Sequence, residues 1–193
     1  MPTVDKEMVC PGCGASILKE STDCEYCGRR IVLTSLNVKQ VRKAAYQDSA
    51  RFLDLYKDAL KKSPDNPQVL ASLGYTLFDR GEYGEAINKF EQASAQGFED
   101  ADVTFHIALA RLKSKKPFQI KLKEAEQIVQ MIDNAIAINP LPQYYCAKSR
   151  IIRKLFEQRF VKYAWTSDEV MAEAEAAGLS ESDITDIDAL INE

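Results

Sequence analysis

A single histidine, a single tryptophan and no apolar run near the ~20 residues needed to span a bilayer mark this 193-residue chain by what it leaves out. The one histidine, His106, stands in FHIALARL among apolar neighbours, where a packed helical residue is a better reading than a general base. No Gly-rich phosphate loop, no G-x-S-x-G elbow and no H-E-x-x-H helix is present. The acidic residues are plentiful but lie on faces that read as solvated, so the chain points away from an enzyme. The first residues, MPTVDKEMV, lack the basic and apolar regions of a secretory leader, and a reducing, cytoplasmic setting is therefore expected. A net charge of −4 argues against bulk affinity for nucleic acid.

Four of the five cysteines form two C-x-x-C pairs, Cys10 with Cys13 and Cys24 with Cys27. Zinc accepts four sulfurs tetrahedrally, and each short turn offers two thiolates to one ion while the intervening ten residues return the second turn to the first. Gly14 and Gly28 follow the second cysteine of each pair, where positive φ and inward-pointing amides are useful. Two disulfides would need an oxidising compartment, and a redox dithiol would need a βαβ setting; neither suits this segment. Residues 9–33, VCPGCGASILKESTDCEYCGRRIVL, resemble a short zinc ribbon, which implies β-hairpins and one structural Zn2+ with no open coordination position. Cys146 lies in a helical pattern and reads as a small buried hydrophobe.

Beyond the ribbon the apolar spacing is helical almost throughout. In NPQVLASLGYTLFDRGEYGEAINKFEQASAQGF, Leu70, Leu73 and Leu77 form one face, Ala86, Phe90 and Ala93 a second, and residues 79–84 a turn between them. Small residues at Gly74, Ala86 and Ala93 allow two helices to approach closely. With Leu73, Gly74, Gly81, Tyr83, Ala86, Phe90 and Ala93 in place, this unit resembles a tetratricopeptide repeat. Phe52, Tyr56, Ala59 and Pro64 fit the second helix of a preceding repeat. Downstream, DVTFHIALARL and IVQMIDNAIAINP fit a further pair, displaced by about eight residues from the ~34-residue period through SKKPFQIK at 114–121. An enlarged loop or a lengthened helix is expected at that insertion. The resemblance spans roughly 38–140 and implies an all-α, antiparallel helical-repeat fold.

The expected division is a zinc ribbon at 1–34, helical repeats with a capping helix at 35–164, and acidic helices at 165–193. The capping helix is expected at 142–164, with Ile152, Leu155, Phe156 and Phe160 as its apolar stripe and Lys148, Arg153, Lys154, Arg159 and Lys162 as a cationic border, read as a solvated face ahead of a surface for nucleic acid or an anionic partner. Thr166 and Glu169 form a capping box, and Ser180 with Asp183 opens a last segment lined by Ile184, Ile187, Leu190 and Ile191. Residues 111–162 hold twelve Lys and Arg against four Asp and Glu, whereas 163–193 hold nine acids and no Lys or Arg. If the last segment docks internally, it lies against 111–162, on a surface a partner would use.

Repeat grooves bind peptides through the first helix of each pair, so the resemblance implies Gln68, Ser72, Tyr75 and Asp79 as partner contacts and an adaptor or scaffold that binds a protein or peptide. The second reading is a nucleic-acid-binding regulator using the ribbon and its basic flank, Arg29, Arg30, Lys39, Arg42 and Lys43, through salt-dependent phosphate contacts. Exposed repeat ends permit self-association without requiring it.

Overall fold

Asn66 and Pro67 set the start of the best-matched helical pair. The Asn66 side chain accepts the Val69 amide at 3.1 Å, and Pro67 occupies the first helical position, where its missing N–H costs nothing. The computed structural model describes residues 7–9, 16–18, 53, 54 and 56–192, which divide into two compact units, Met1–Glu99 and Asp100–Glu193.

In the first unit, strands β1 (Glu7–Val9) and β2 (Ser16–Leu18) pair antiparallel, with Val9 opposite Ser16. Residues 56–62 are helical (α1), followed by α2 (Pro67–Asp79) and α3 (Tyr83–Ala95). The turn between α2 and α3 depends on Gly81 at φ +77°, which lets its own amide reach Phe78 O at 2.9 Å while the Glu82 amide reaches Leu77 O at 2.9 Å. Leu70, Leu73, Leu77, Ala86, Phe90 and Ala93 are all buried, so the two faces read from the sequence meet as expected. Gly74 lies against the Phe90 ring, which also packs on Tyr75 in a T-shaped arrangement at 4.9 Å between centroids.

The second unit begins with Asp100, whose carboxylate caps α4 (Ala101–Lys113) by accepting the amides of Asp102 and Val103. The insertion at 114–121 is a loop carrying a 3₁₀ turn at Pro117–Gln119, pinned inward by fully buried Ile120. It leads into α5 (Leu122–Ile138), whose Ala125, Ile128, Val129, Ile132 and Ala135 form a continuous buried stripe. Two helices, α6 (Pro142–Leu155) and α7 (Ser167–Ala176), then pack on each other, and α8 (Glu181–Asn192) packs on α6.

The expected helix at 142–164 therefore stops at Leu155. Its sequence carries no glycine or proline to end it, and tertiary contacts decide the end instead. Phe156 is buried against Tyr163 at 4.3 Å between ring centroids, and a 3₁₀ turn at Glu157–Arg159 reverses the chain so that Glu157 reaches Ser167. Phe160 closes that turn in the left-handed region at φ 57° and is 99% exposed, so it leaves the apolar stripe formed by Ile152, Leu155 and Phe156. The cationic border is likewise committed internally at three positions. Lys148 is buried and pairs with Asp133 at 2.6 Å, Arg153 pairs with Asp168 at 2.8 Å, and Arg159 donates to Ile120 O at 3.0 Å. Thr166 and Glu169 form the expected reciprocal capping box at the start of α7.

Candidate partner-binding surface

Gln68, Ser72, Tyr75 and Asp79 lie along α2 at spacings of four, three and four, which places them in one row on the helix. Gln68, Tyr75 and Asp79 are half-buried; Ser72 is buried, and its carbonyl accepts the Thr76 hydroxyl at 3.0 Å. Cys10, Cys13, Cys24 and Cys27 lie outside the described residues, as do Arg29, Arg30, Lys39, Arg42 and Lys43. The antiparallel strands β1 and β2 bracket residues 10–15, which include the first C-x-x-C pair.

Within the second unit α4 and α6 are the first helices of successive pairs, and they meet through a buried polar cluster. His106 Nδ1 stands 2.8 Å from Asp102 O and 3.4 Å from Asp102 Oδ2, while the Tyr144 hydroxyl donates to Asp102 Oδ1 at 3.4 Å. The Tyr144 ring packs on Phe105 at 4.7 Å between centroids. Burial, with the charges of Asp102 and Asp100 added, holds the Tyr144 phenol well above its ordinary pKa. Asp102, His106 and Tyr144 are each 5% exposed or less, so the cluster joins helices and presents nothing to a substrate. Burial also raises the Asp100 carboxyl, with the nearby Asp102 charge adding to the effect and the capping amides opposing it.

The acidic helix α8 occupies the face formed by α6 and the end of α4. Arg150 grips Asp188 with two parallel hydrogen bonds, Nε to Oδ1 at 2.7 Å and Nη2 to Oδ2 at 3.2 Å. Gln143 Nε2 donates to Asp183 Oδ1 at 2.9 Å, and Lys113 Nζ donates to Leu190 O near the C-terminal end of α8. Ile187, Leu190 and Ile191 are each 5% exposed, and Cys146, between Gln143 and Arg150 on α6, is fully buried. Burial pushes the Cys146 thiol up, with Arg150 acting against it. The opposed charge of 111–162 and 163–193 was visible in the sequence. Which cations would carry the contact was not: Lys113 and Arg150 make it, whereas Lys148 and Arg153 turn to α5 and α7.

Residues 55–88 match the family model of the tetratricopeptide repeat, from the region of α1 through all of α2 into the start of α3. Among solved structures the chain is similar to YrrB, described as a TPR protein with an unusual peptide-binding site. The TM-score is 0.54 and the identity 12%, over 80% of this chain and 83% of that one. The chain thus carries a tetratricopeptide repeat, and its described residues from 56 on form an all-α, TPR-like fold. No curated protein matches it. No helix among the described residues is long and apolar enough to cross a membrane.

Proposed function

We propose that this protein is a non-enzymatic, cytoplasmic interaction adaptor. Its first helices present a surface to a peptide or helix of a protein partner, and its N-terminal module supplies a second contact. The α2–α3 hairpin carries the reading, because its close approach at Gly74 and Phe90 and the family match over 55–88 identify a unit whose recurrent use is peptide binding. The peptide-binding site in the name of the YrrB structure agrees with that use. Purification of the tagged protein from its own cell extract, with and without nuclease, tests it. A stoichiometric protein companion that survives nuclease is expected. Recovery of nucleic acid alone would move the weight to Arg29, Arg30, Lys39, Arg42 and Lys43.

Cys10, Cys13, Cys24 and Cys27 hold one structural zinc ion in this reading, supported by their spacing and by the β1–β2 pairing around the first two. Freshly purified protein should contain about one zinc per chain, and Cys13→Ser should lose it. Chelation should leave the far-ultraviolet helical signal nearly intact, since the ribbon alone depends on the metal for folding energy. Metal-free protein as isolated, or a collapse of helical signal on chelation, would refute the assignment or the separation into modules.

A further inference from the structure

We propose that α8 is a built-in occupant of the α4–α6 surface, and that this surface takes an acidic amphipathic helix of a partner protein in its place. The proposal rests on the adaptor reading and names the chemistry of its ligand. The surface on the α6 side consists of Gln143, Cys146 and Arg150, spaced to line one helical face, with Lys113 at one end. Each polar member is matched by α8: Arg150 by a bidentate carboxylate, Gln143 by a second carboxylate, Lys113 by a carbonyl of the last turn. A ligand for this surface therefore needs an acid, then an apolar residue and a second acid four and five positions on, then an apolar pair, as in Asp183, Ile187, Asp188, Leu190 and Ile191.

The occupant is built to leave. The helix is 12 residues long, near the lower limit at which an isolated helix holds together in water, so its order depends on the seat. Its apolar contribution comes chiefly from three side chains, and its ion pair with Arg150 is partly solvated, with Arg150 and Asp188 at 25% and 40% side-chain exposure. Besides α8, α6 has α5 and α7 as neighbours, and α4 packs on α5, so the other helices have contacts that do not pass through α8. Gly178, at φ +90°, closes α7 with its own amide on Glu175 O at 3.0 Å and the Leu179 amide on Ala174 O at 3.1 Å, so α7 is terminated without help from α8. A tethered occupant competes at high effective concentration, so an incoming helix binds with an affinity lowered by the fraction of time the seat is open.

The probe is a labelled synthetic peptide of residues 180–193, added to the full chain, to the full chain carrying Ile187→Lys and Asp188→Lys, and to that variant with Arg150→Glu added. Fluorescence anisotropy reads peptide binding, hydrogen exchange reads protection of the α8 amides, and circular dichroism reads the helical content of the remainder. The expected result is faster exchange confined to α8 in the double variant, at least tenfold tighter peptide binding than wild type, and loss of that gain with Arg150→Glu. Peptide binding no tighter than wild type, with α8 released and the other helices intact, overturns the proposal. Continued protection of α8, or unfolding of α4 to α7, also overturns it, because α8 is then a fixed part of the fold. A wild-type dimer that forms with concentration while α8 stays protected identifies a second copy as the occupant and overturns a foreign helix. Failure here alongside a captured protein companion leaves the adaptor reading standing with its contact elsewhere; failure of both removes it.

Discussion

Gly74→Ala should destabilise the first unit by about 2 kcal/mol, although alanine favours a helix interior over glycine by about 1 kcal/mol. The added methyl carbon would stand 2.6 Å from two carbons of the Phe90 ring and 3.0 Å from a third, far inside the ~3.5–4.0 Å of a favourable carbon contact. Phe90 has little room to yield, being fully buried with Tyr75 edge-on against it. Overpacking of this kind costs about 1–3 kcal/mol and at so short a distance lies at the upper end, which exceeds the propensity gain. A shorter side chain should absorb the clash. Phe90→Leu is expected to be destabilising alone, yet Gly74→Ala made in that background should cost at least 1 kcal/mol less than in wild type, a coupling within the usual range for touching residues. Hydrogen exchange of the α2 and α3 amides is the suitable readout, since it separates this unit from Asp100–Glu193. Additive single effects would show that the ring does not limit how closely the helices approach.

Removing the carboxylate at the α6–α7 junction should have a smaller but distinctive effect in the second unit. Glu157 accepts the backbone amide of Ser167 at 2.7 Å and its hydroxyl at 2.8 Å, while Ser167 O accepts the Ser149 hydroxyl at 2.7 Å and Arg153 Nε reaches the Ser167 hydroxyl at 3.2 Å. Ser167 is 1% exposed, but Glu157 is itself exposed, so in Glu157→Ala water reaches the two donors in place of the carboxylate and the loss should be about 1 kcal/mol. Glu157→Gln retains an acceptor without the charge and should lose about half as much. The pH dependence separates this from simple loss of packing. The Ser167 amide, followed by its hydroxyl, holds the Glu157 carboxyl below its ordinary value of 4.5. A carboxyl lowered on folding contributes stability that is present above the unfolded pKa and lost as pH falls through the folded one. The deficit of Glu157→Gln relative to wild type should therefore be full at pH 7 and shrink below about 4.5. A deficit constant down to pH 3 would mean that the ionised carboxylate is not what holds the start of α7.

Much of the local architecture was legible because it depends on neighbours in the chain. The caps at Thr166 with Glu169 and at Ser180 with Asp183 are reciprocal hydrogen bonds over three residues, and they form where their sequence signatures stand. The Gly74 contact was legible because the repeat pattern puts a residue without a side chain opposite a large one. The end of α6 was not, since nothing between Phe156 and Phe160 breaks a helix; its end comes from the Glu157 bond to Ser167, ten residues on, and from Phe156 packing on Tyr163. The row Gln68, Ser72, Tyr75 and Asp79 could be placed on one face of α2, but a helical period does not show which members of a row are covered, and Ser72 is.

The sequence by itself determined the helical pairs, their turns and caps, the cysteine spacing that suits one zinc ion, and the opposition of charge between 111–162 and the acidic end. These follow from periodicity, backbone sterics and short-range hydrogen bonding, which act within a few residues. Only the tertiary structure decided which cations serve inside the fold and which meet α8. Side chains close in sequence, such as Lys148, Arg150 and Arg153, point around a helix to Asp133, Asp188 and Asp168 on three different neighbours. Their partners are set by how those helices pack, over separations of 15 to 38 residues that no local pattern encodes.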